Sequence, residues 1–106
     1  MNNCETMYYI ISFGKSAPLK AEKYTIAPRA RQGFDKALAQ GQCMNDSCKE
    51  PYILKVVYIT IDKRGMHTVE WREWDRDKRK WGATSWARSI LDEYKKAIAR
   101  YTGDEL

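Results

Sequence analysis

The segment Trp71–Trp81, with the sequence WREWDRDKRKW, constrains the fold of this chain more than any other part. It contains three of the four tryptophans, together with five basic and three acidic residues. An indole ring gains a large stabilisation when it is covered, and it loses that stabilisation when it stays in water. The segment must therefore pack against the rest of the chain or bind a partner.

The same segment predicts a β-hairpin with a defined register. A four-residue loop at 76–79 places Trp74 opposite Trp81 and Asp75 opposite Lys80. Cross-strand ring pairs and ion pairs each stabilise a sheet by roughly 0.2–1 kcal/mol. Both pairs form only in this register, so we expect the hairpin to adopt it.

The period of a β-strand then assigns the indoles to two faces. Successive side chains of a strand point to opposite faces of the sheet, so Trp71 and Trp74 lie on different faces. We expect Trp71 to line the core and the Trp74/Trp81 pair to sit on the outer face. A pair of rings on the outer face would be available to another macromolecule.

Hydrophobic periodicity predicts the other elements of the chain. Four strands are expected, at Met7–Phe13, Leu19–Ile26, Tyr52–Ile61 and Met66–Asp75. A helix is expected at Arg29–Gln40, because Pro28 suits a first helical turn and Gly41 is a stop signal. A second helix is expected from a cap at Thr84 or Ser85. Its apolar stripe comprises Trp86, Ile90, Leu91, Tyr94, Ala97, Ile98 and Tyr101.

These elements predict an α+β fold. Their order is ββαβββα, and we expect an antiparallel sheet of about five strands with two helices on one face. Tyr52–Ile61 is apolar on both sides, which is typical of a central strand. A chain of 106 residues without a repeat or a linker is expected to form one domain, 1–106.

Composition restricts the compartment and the class of partner. The net charge is +5, which is compatible with anionic partners, but acids are interspersed among the bases. No segment is long enough to span a bilayer, and no signal peptide is recognisable. Three cysteines, an odd number, fit a reducing compartment. We therefore expect a cytoplasmic protein that does not contact membranes.

Cysteine and histidine offer one candidate metal site. Cys43 and Cys48 are separated by four residues, and Cys4 and His67 would complete a Cys3His set for zinc. Free thiols are the favoured interpretation, because this spacing is looser than that of the usual zinc knuckle. His67 is also the only histidine that could activate a nucleophile, and no orienting group accompanies it. We expect no catalytic residue, no enzyme activity and no cofactor.

The hairpin provides the candidate binding residues. They are Arg72, Trp74, Arg76, Lys78, Arg79, Lys80 and Trp81. Tryptophan and arginine are the residues that most often carry the energy of protein interfaces, so a protein partner is expected. Nucleic acid is the alternative, with bases stacked on the indoles and phosphates bound by the basic side chains, with help from Arg29, Arg31 and Lys36. In a third interpretation, all four tryptophans are core and the hairpin is only a solvated surface.

In layout, the chain resembles the small anti-defence proteins of phages and mobile elements, the anti-CRISPR proteins among them. The similarity lies in Tyr24–Ala27 leading into the helix at Arg29–Gln40, followed by the strand at Tyr52–Ile61. Short length, an aromatic and charge-rich surface, and the lack of an enzyme motif are shared as well. The resemblance implies an inhibitor that blocks a host defence nuclease complex by binding to it, in the host cytoplasm if a phage encodes the protein. A basic inhibitor would contact acidic patches or the guide RNA of its target.

Overall fold

A computed structural model describes residues 5–106 of the chain. The predicted α+β class is confirmed: the structure is an antiparallel sheet with two helices, in the order ββαβββα with one further short strand before the last helix. The elements are β1 (Met7–Phe13), β2 (Pro18–Tyr24), α1 (Ala27–Asp46), β3 (Lys55–Ile61), β4 (His67–Asp75), β5 (Lys80–Trp81), β6 (Ser85–Ala87) and α2 (Asp92–Thr102). Among residues 5–106, no helix has the length and apolar character needed to cross a membrane.

The sheet has the strand order β2-β1-β3-β4-β5, and β6 also pairs with β4. Strand β3 is central, as its sequence predicts, and Val56, Val57, Tyr58 and Ile59 are all buried. Every pairing is antiparallel. Strand β2 therefore forms one edge of the sheet, and β5 and β6 follow each other along the opposite edge.

The helices cover opposite faces of the sheet, which corrects the prediction that both lie on one face. Ile10 packs in a cluster with Phe34 of α1, whereas its neighbour Ile11 packs in a second cluster with Ile98 of α2. Strands β1 and β3 are apolar on both sides, and each apolar face has to be covered to stabilise the fold. The molecule consequently has two cores separated by the sheet.

Helix α1 continues beyond the predicted stop at Gly41 and ends at Asp46. Gly41 lies inside the helix because a larger residue would not fit there. A Cβ atom at this position would lie 2.7 Å from Cζ2 of Trp81. The last turn is held by Asn45, whose Nδ2 donates to Ile53 O at 2.8 Å and whose Oδ1 accepts the N–H of Ile53 at 2.9 Å. Cys43 is therefore part of the helix.

Helix α2 begins at Asp92, so the cap predicted at Thr84 or Ser85 is wrong. Residues 85–87 instead form β6. The acidic residues Asp92 and Glu93 occupy the first turn of α2, where negative charge is stabilised by the helix dipole. Acidic residues in a first turn are a start signal that favours position 92 over 85.

The C-terminal tail after α2 is attached to the sheet. Gly103 ends α2 with a φ angle of 80°, which turns the chain back towards β1 and β2. The hydroxyl of Tyr9 donates to Asp104 Oδ2 at 2.6 Å, and Lys23 Nζ lies 2.8 Å from the same oxygen. These bonds from Lys23 and Tyr9 lower the pKa of Asp104.

Candidate binding surface

The predicted register of the β4–β5 hairpin is confirmed, because Trp74 pairs with Trp81 and Asp75 pairs with Lys80. The two indole rings meet edge to face, with centroids 5.3 Å apart and an interplanar angle of 84°. Their expected exposure is wrong: Trp74 is 7% exposed and Trp81 is 8% exposed. Because α1 lies on this face of the sheet, the indole pair belongs to a core and not to an outer surface.

The indole pair packs in one core cluster with buried residues of α1. The Nε1 atom of Trp81 donates to Leu38 O, a backbone acceptor of the helix, at 2.7 Å. The Nε1 atom of Trp74 is buried and has no hydrogen-bond partner within residues 5–106. A buried donor without an acceptor costs free energy, so the packing of this ring has to offset that cost. Neither indole is free to stack on a partner.

Two of the predicted binding arginines hold the hairpin in place. Arg72 Nε donates to Gly82 O at 2.7 Å, across the hairpin. An NH2 atom of Arg79 donates to Asn45 O at 2.8 Å, near the end of α1. Arg79 also adopts a φ angle of 52°, which is uncommon for a residue other than glycine. These guanidinium groups stabilise the fold, and a partner would have to compete for them.

The other predicted basic residues lie at the exposed tip of the hairpin. Arg76, Lys78 and Lys80 are exposed. An NH1 atom of Arg76 approaches Glu50 at 3.8 Å, and both side chains are mostly in solvent, so this ion pair contributes little. Asp75 turns the chain, because its Oδ1 accepts the N–H groups of two loop residues, 77 and 78, at 3.0 Å. The tip offers cations to a partner but no aromatic ring.

The exposed tryptophan of this structure is Trp86, which the sequence placed in the apolar stripe of a helix. It lies on β6 opposite Glu70 of β4 and is 61% exposed. Among residues 5–106 it is the most exposed of the large apolar side chains. The guanidinium of Arg88 lies 5.7 Å from the centre of its ring, within the range of a cation–π interaction.

Arg31 of α1 pairs with Glu70, the residue that lies opposite Trp86 in the sheet. Its NH1 atom lies 3.0 Å from Glu70 Oε2, and its guanidinium stacks 4.3 Å from the ring centre of Tyr58. Burial lowers the pKa of Arg31, but the hydrogen bond and the charge of Glu70 outweigh it and the pKa is raised overall. We refer to Trp86, Arg88, Arg31 and Glu70 as the Trp86 surface.

The opposite face of the same edge carries a second apolar feature. A cavity of about 310 Å3 lies between β6, β4 and the start of α2. Its apolar lining comprises Val69, Trp71, Ala87, Leu91 and Tyr94. Trp71 is half-buried there and packs against the α2 core, so the prediction that it faces away from Trp74 is confirmed. Apolar surface is therefore accessible on both faces of the β6 edge.

Of the four candidate zinc ligands, the structure describes Cys43, Cys48 and His67. Cys4 lies outside the described residues. Cys43 and Cys48 are exposed free thiols near the end of α1, and His67 is at the start of β4. In the part of the chain that the structure describes, no three or more His, Cys, Asp or Glu side chains are grouped so as to hold a metal ion.

Comparison with known proteins gives no relative of this chain. No family model, no curated protein and no solved structure matches it. The site must therefore be interpreted from its own residues.

Proposed function

We propose that this protein is a non-enzymatic binding protein that contacts a protein partner through the Trp86 surface. The observation that carries the proposal is the 61% exposure of Trp86 beside Arg88 on an edge strand. Exposing an indole forgoes the stabilisation that its burial would give. A partner that covers the ring recovers that free energy, which makes the position a natural centre for an interface.

The charges around Trp86 favour a protein partner over nucleic acid. Arg31 and Arg88 are accompanied by Glu70, so the surface carries both signs. A mixed polar rim around an aromatic centre is typical of protein interfaces, where the charges select the partner. A surface built for phosphates would gain from losing the carboxylate.

We further propose that binding serves inhibition, as the resemblance to anti-CRISPR proteins implies. An inhibitor that blocks a host defence nuclease complex by contact needs a firmly positioned surface and no chemistry of its own. The Trp86 surface lies on a six-stranded sheet with a core on either face, which supports such positioning. With a net charge of +5, the protein would contact acidic patches or the guide RNA of its target.

The proposal is tested by affinity capture from a host lysate, with three versions of the protein as bait. We expect wild-type protein to retain a defined protein partner after nuclease treatment of the lysate. The double variant Trp86→Ala/Arg88→Ala should lose that partner. A matched control, Lys78→Ala/Lys80→Ala at the hairpin tip, should retain it. If the Lys78→Ala/Lys80→Ala control loses the partner and the Trp86→Ala/Arg88→Ala variant retains it, the assignment of the binding surface is contradicted.

Nucleic acid is a second candidate partner, because Arg76, Lys78 and Lys80 are exposed together on the hairpin. Binding through several phosphates weakens steeply as salt rises, since each contact releases counterions. Under this alternative, affinity for single-stranded RNA or DNA should fall by orders of magnitude between about 50 and 200 mM salt. No binding at low salt would eliminate it.

A further inference from the structure

A cleft separates α1 from the edge strand β2, at the side of the sheet away from Trp86. Its volume is about 290 Å3. The floor is formed by four buried residues: Ser12, Ala37, Gly41 and Ile53. The rim is formed by three exposed apolar side chains: Leu19, Met44 and Tyr52. Single exposed apolar residues are normal on a protein, but three around one concave floor indicate a place for an apolar ligand.

The rim is suited to close over such a ligand. Leu19 is 38% exposed, Met44 is 40% exposed and Tyr52 is 51% exposed, so each can lose further surface to water when the cleft is filled. Met44 has an unbranched, flexible side chain that adapts to irregular shapes. At about 290 Å3, the cleft matches the small end of ligand pockets, which span about 300–1,000 Å3.

One end of the cleft is polar and basic. A smaller cavity of about 80 Å3 adjoins it and shares Lys20, Ala37 and Gln40 with it. Lys36 lines this cavity too, and the carboxylate there belongs to Glu22, which accepts the Tyr24 hydroxyl at 3.4 Å. Two lysines and one glutamate therefore line this smaller cavity, which gives its lining an excess of positive charge. Among residues 5–106, no acidic side chain lines the apolar cleft itself.

We propose that this cleft binds a small amphipathic anion, with an aliphatic chain in the apolar part and a carboxylate near Lys20 and Lys36. Medium-chain fatty acids have this chemistry. The apolar walls provide the greater part of the affinity, because ion pairs at exposed lysines contribute little. The cleft and the Trp86 surface lie at opposite edges of the sheet, so the ligand is independent of the proposed partner.

Decanoate, kept below its micelle concentration, is the probe. Titration of isotope-labelled protein should give saturable amide shifts at Ser12, Gly41 and Ile53. Decanol, with the same chain and no charge, should bind several-fold more weakly. Butyrate, with the same head group and a short chain, should give no saturable shift. The absence of saturable decanoate shifts at these positions would overturn the proposal.

Matched variants test the two ends of the cleft separately. Met44→Glu should weaken decanoate at least tenfold, whereas Met66→Glu, an exposed methionine at a distant turn, should change it less than twofold. If circular dichroism shows that Met44→Glu is unfolded, Leu19→Glu on the opposite rim replaces it. Lys20→Ala/Lys36→Ala should reduce decanoate affinity to that of decanol. If Met44→Glu and Leu19→Glu both bind decanoate with wild-type affinity, the cleft is not the binding site.

Failure of this proposal is distinguishable from failure of the proposed function. The Trp86→Ala/Arg88→Ala variant should bind decanoate with unchanged affinity, because its substitutions lie at the far edge of the sheet. A parallel loss of decanoate binding in that variant would show that the ligand sits elsewhere.

Discussion

The β4–β5 hairpin and strand β6 lie side by side at one edge of the sheet, yet they place tryptophan in opposite environments. Trp74 and Trp81 are 7% and 8% exposed, whereas Trp86 is 61% exposed. All three side chains lie on the same face of the sheet, since Trp86 pairs with Glu70, two pleats from Trp74.

The difference comes from the path of α1 across that face. Its second half, at Leu38 and Gly41, contacts the indole of Trp81 directly. Its beginning reaches only as far as Glu70, through Arg31, and leaves Trp86 uncovered. The position of one helix thus decides which indoles stabilise the fold and which remain available to a partner.

The largest expected effect separates the two regions by stability. Trp81→Ala should lower the free energy of unfolding by about 3–5 kcal/mol, because it removes a buried ring and leaves a cavity. Trp86→Ala should change it by less than about 0.5 kcal/mol, as surface substitutions do. Urea unfolding measures both. If the alanine variant of Trp81 does not fold, Trp81→Phe should still cost about 1–2 kcal/mol, from the lost bond to Leu38 O and lost packing. Equal effects at positions 81 and 86 would break the comparison.

The next effect separates the regions by binding. Once a partner has been captured, Trp86→Ala should weaken its affinity by about 2 kcal/mol or more, roughly 30-fold, as expected for the centre of an interface. Lys78→Ala at the hairpin tip should alter the affinity by less than about 0.5 kcal/mol. Isothermal titration calorimetry provides both values. A larger loss at Lys78 would move the contact to the hairpin.

A pair of glycines tests how closely α1 approaches the indoles. In Gly41→Ala, the new Cβ would meet a ring atom of the buried Trp81, which cannot move easily, and we expect a loss of about 1–2 kcal/mol. In Gly33→Ala, the Cβ would lie 2.5 Å from the hydroxyl oxygen of Tyr24, 2.7 Å from its Cζ and 3.0 Å from Cδ1 of the buried Ile10, and the half-buried Tyr24 side chain can shift towards solvent. The gain in helix propensity, about 1 kcal/mol, should then offset most of the cost. Thermal unfolding of the two variants should differ, and identical melting temperatures would contradict the tight fit at Trp81.

The smallest expected effect concerns the face of the sheet that α2 covers. There, Asp104 of the C-terminal tail is bonded to β1 and β2. The pKa of Asp104 is lowered by its bonds to Lys23 and Tyr9. Its stabilisation is therefore complete above the ordinary carboxyl pKa and disappears as the pH falls through the lowered value. Asp104→Asn should cost less than about 1 kcal/mol at pH 6, and this difference from wild type should shrink towards pH 3. Glu105→Gln, an exposed neighbour, is the control. A difference that does not depend on pH would show that the carboxylate is not charged in this contact.

The sequence predicts the pairing of neighbouring strands better than it predicts which side chains a distant helix buries. The register of Trp74 with Trp81 followed from strand period and loop length, which are properties of the segment itself. Their burial depends on α1, which is far away in sequence and which extends beyond the stop that the sequence predicts at Gly41. Gly41 leaves space for the ring of Trp81, and this role becomes visible only when helix and hairpin are brought together.

The error at Trp86 has a different origin. Trp86, Ile90 and Tyr94 follow each other at four-residue steps, which is the period of a helix, although only Tyr94 belongs to one. The acidic residues at 92 and 93 were a better indicator of the helix start. The sequence places the candidate binding residues on the hairpin, because three of the four tryptophans and five basic residues lie there, but the structure buries the indoles of Trp74 and Trp81.

Tryptophan oxidation mapped by mass spectrometry tests the account most directly, since it records the accessibility of each indole in solution. In the free protein, we expect Trp86 to be oxidised fast, and Trp74 and Trp81 to be protected. In the captured complex, Trp86 should become protected as well. Fast oxidation of Trp74 or Trp81 in the folded protein, or an unprotected Trp86 in the complex, would contradict the account.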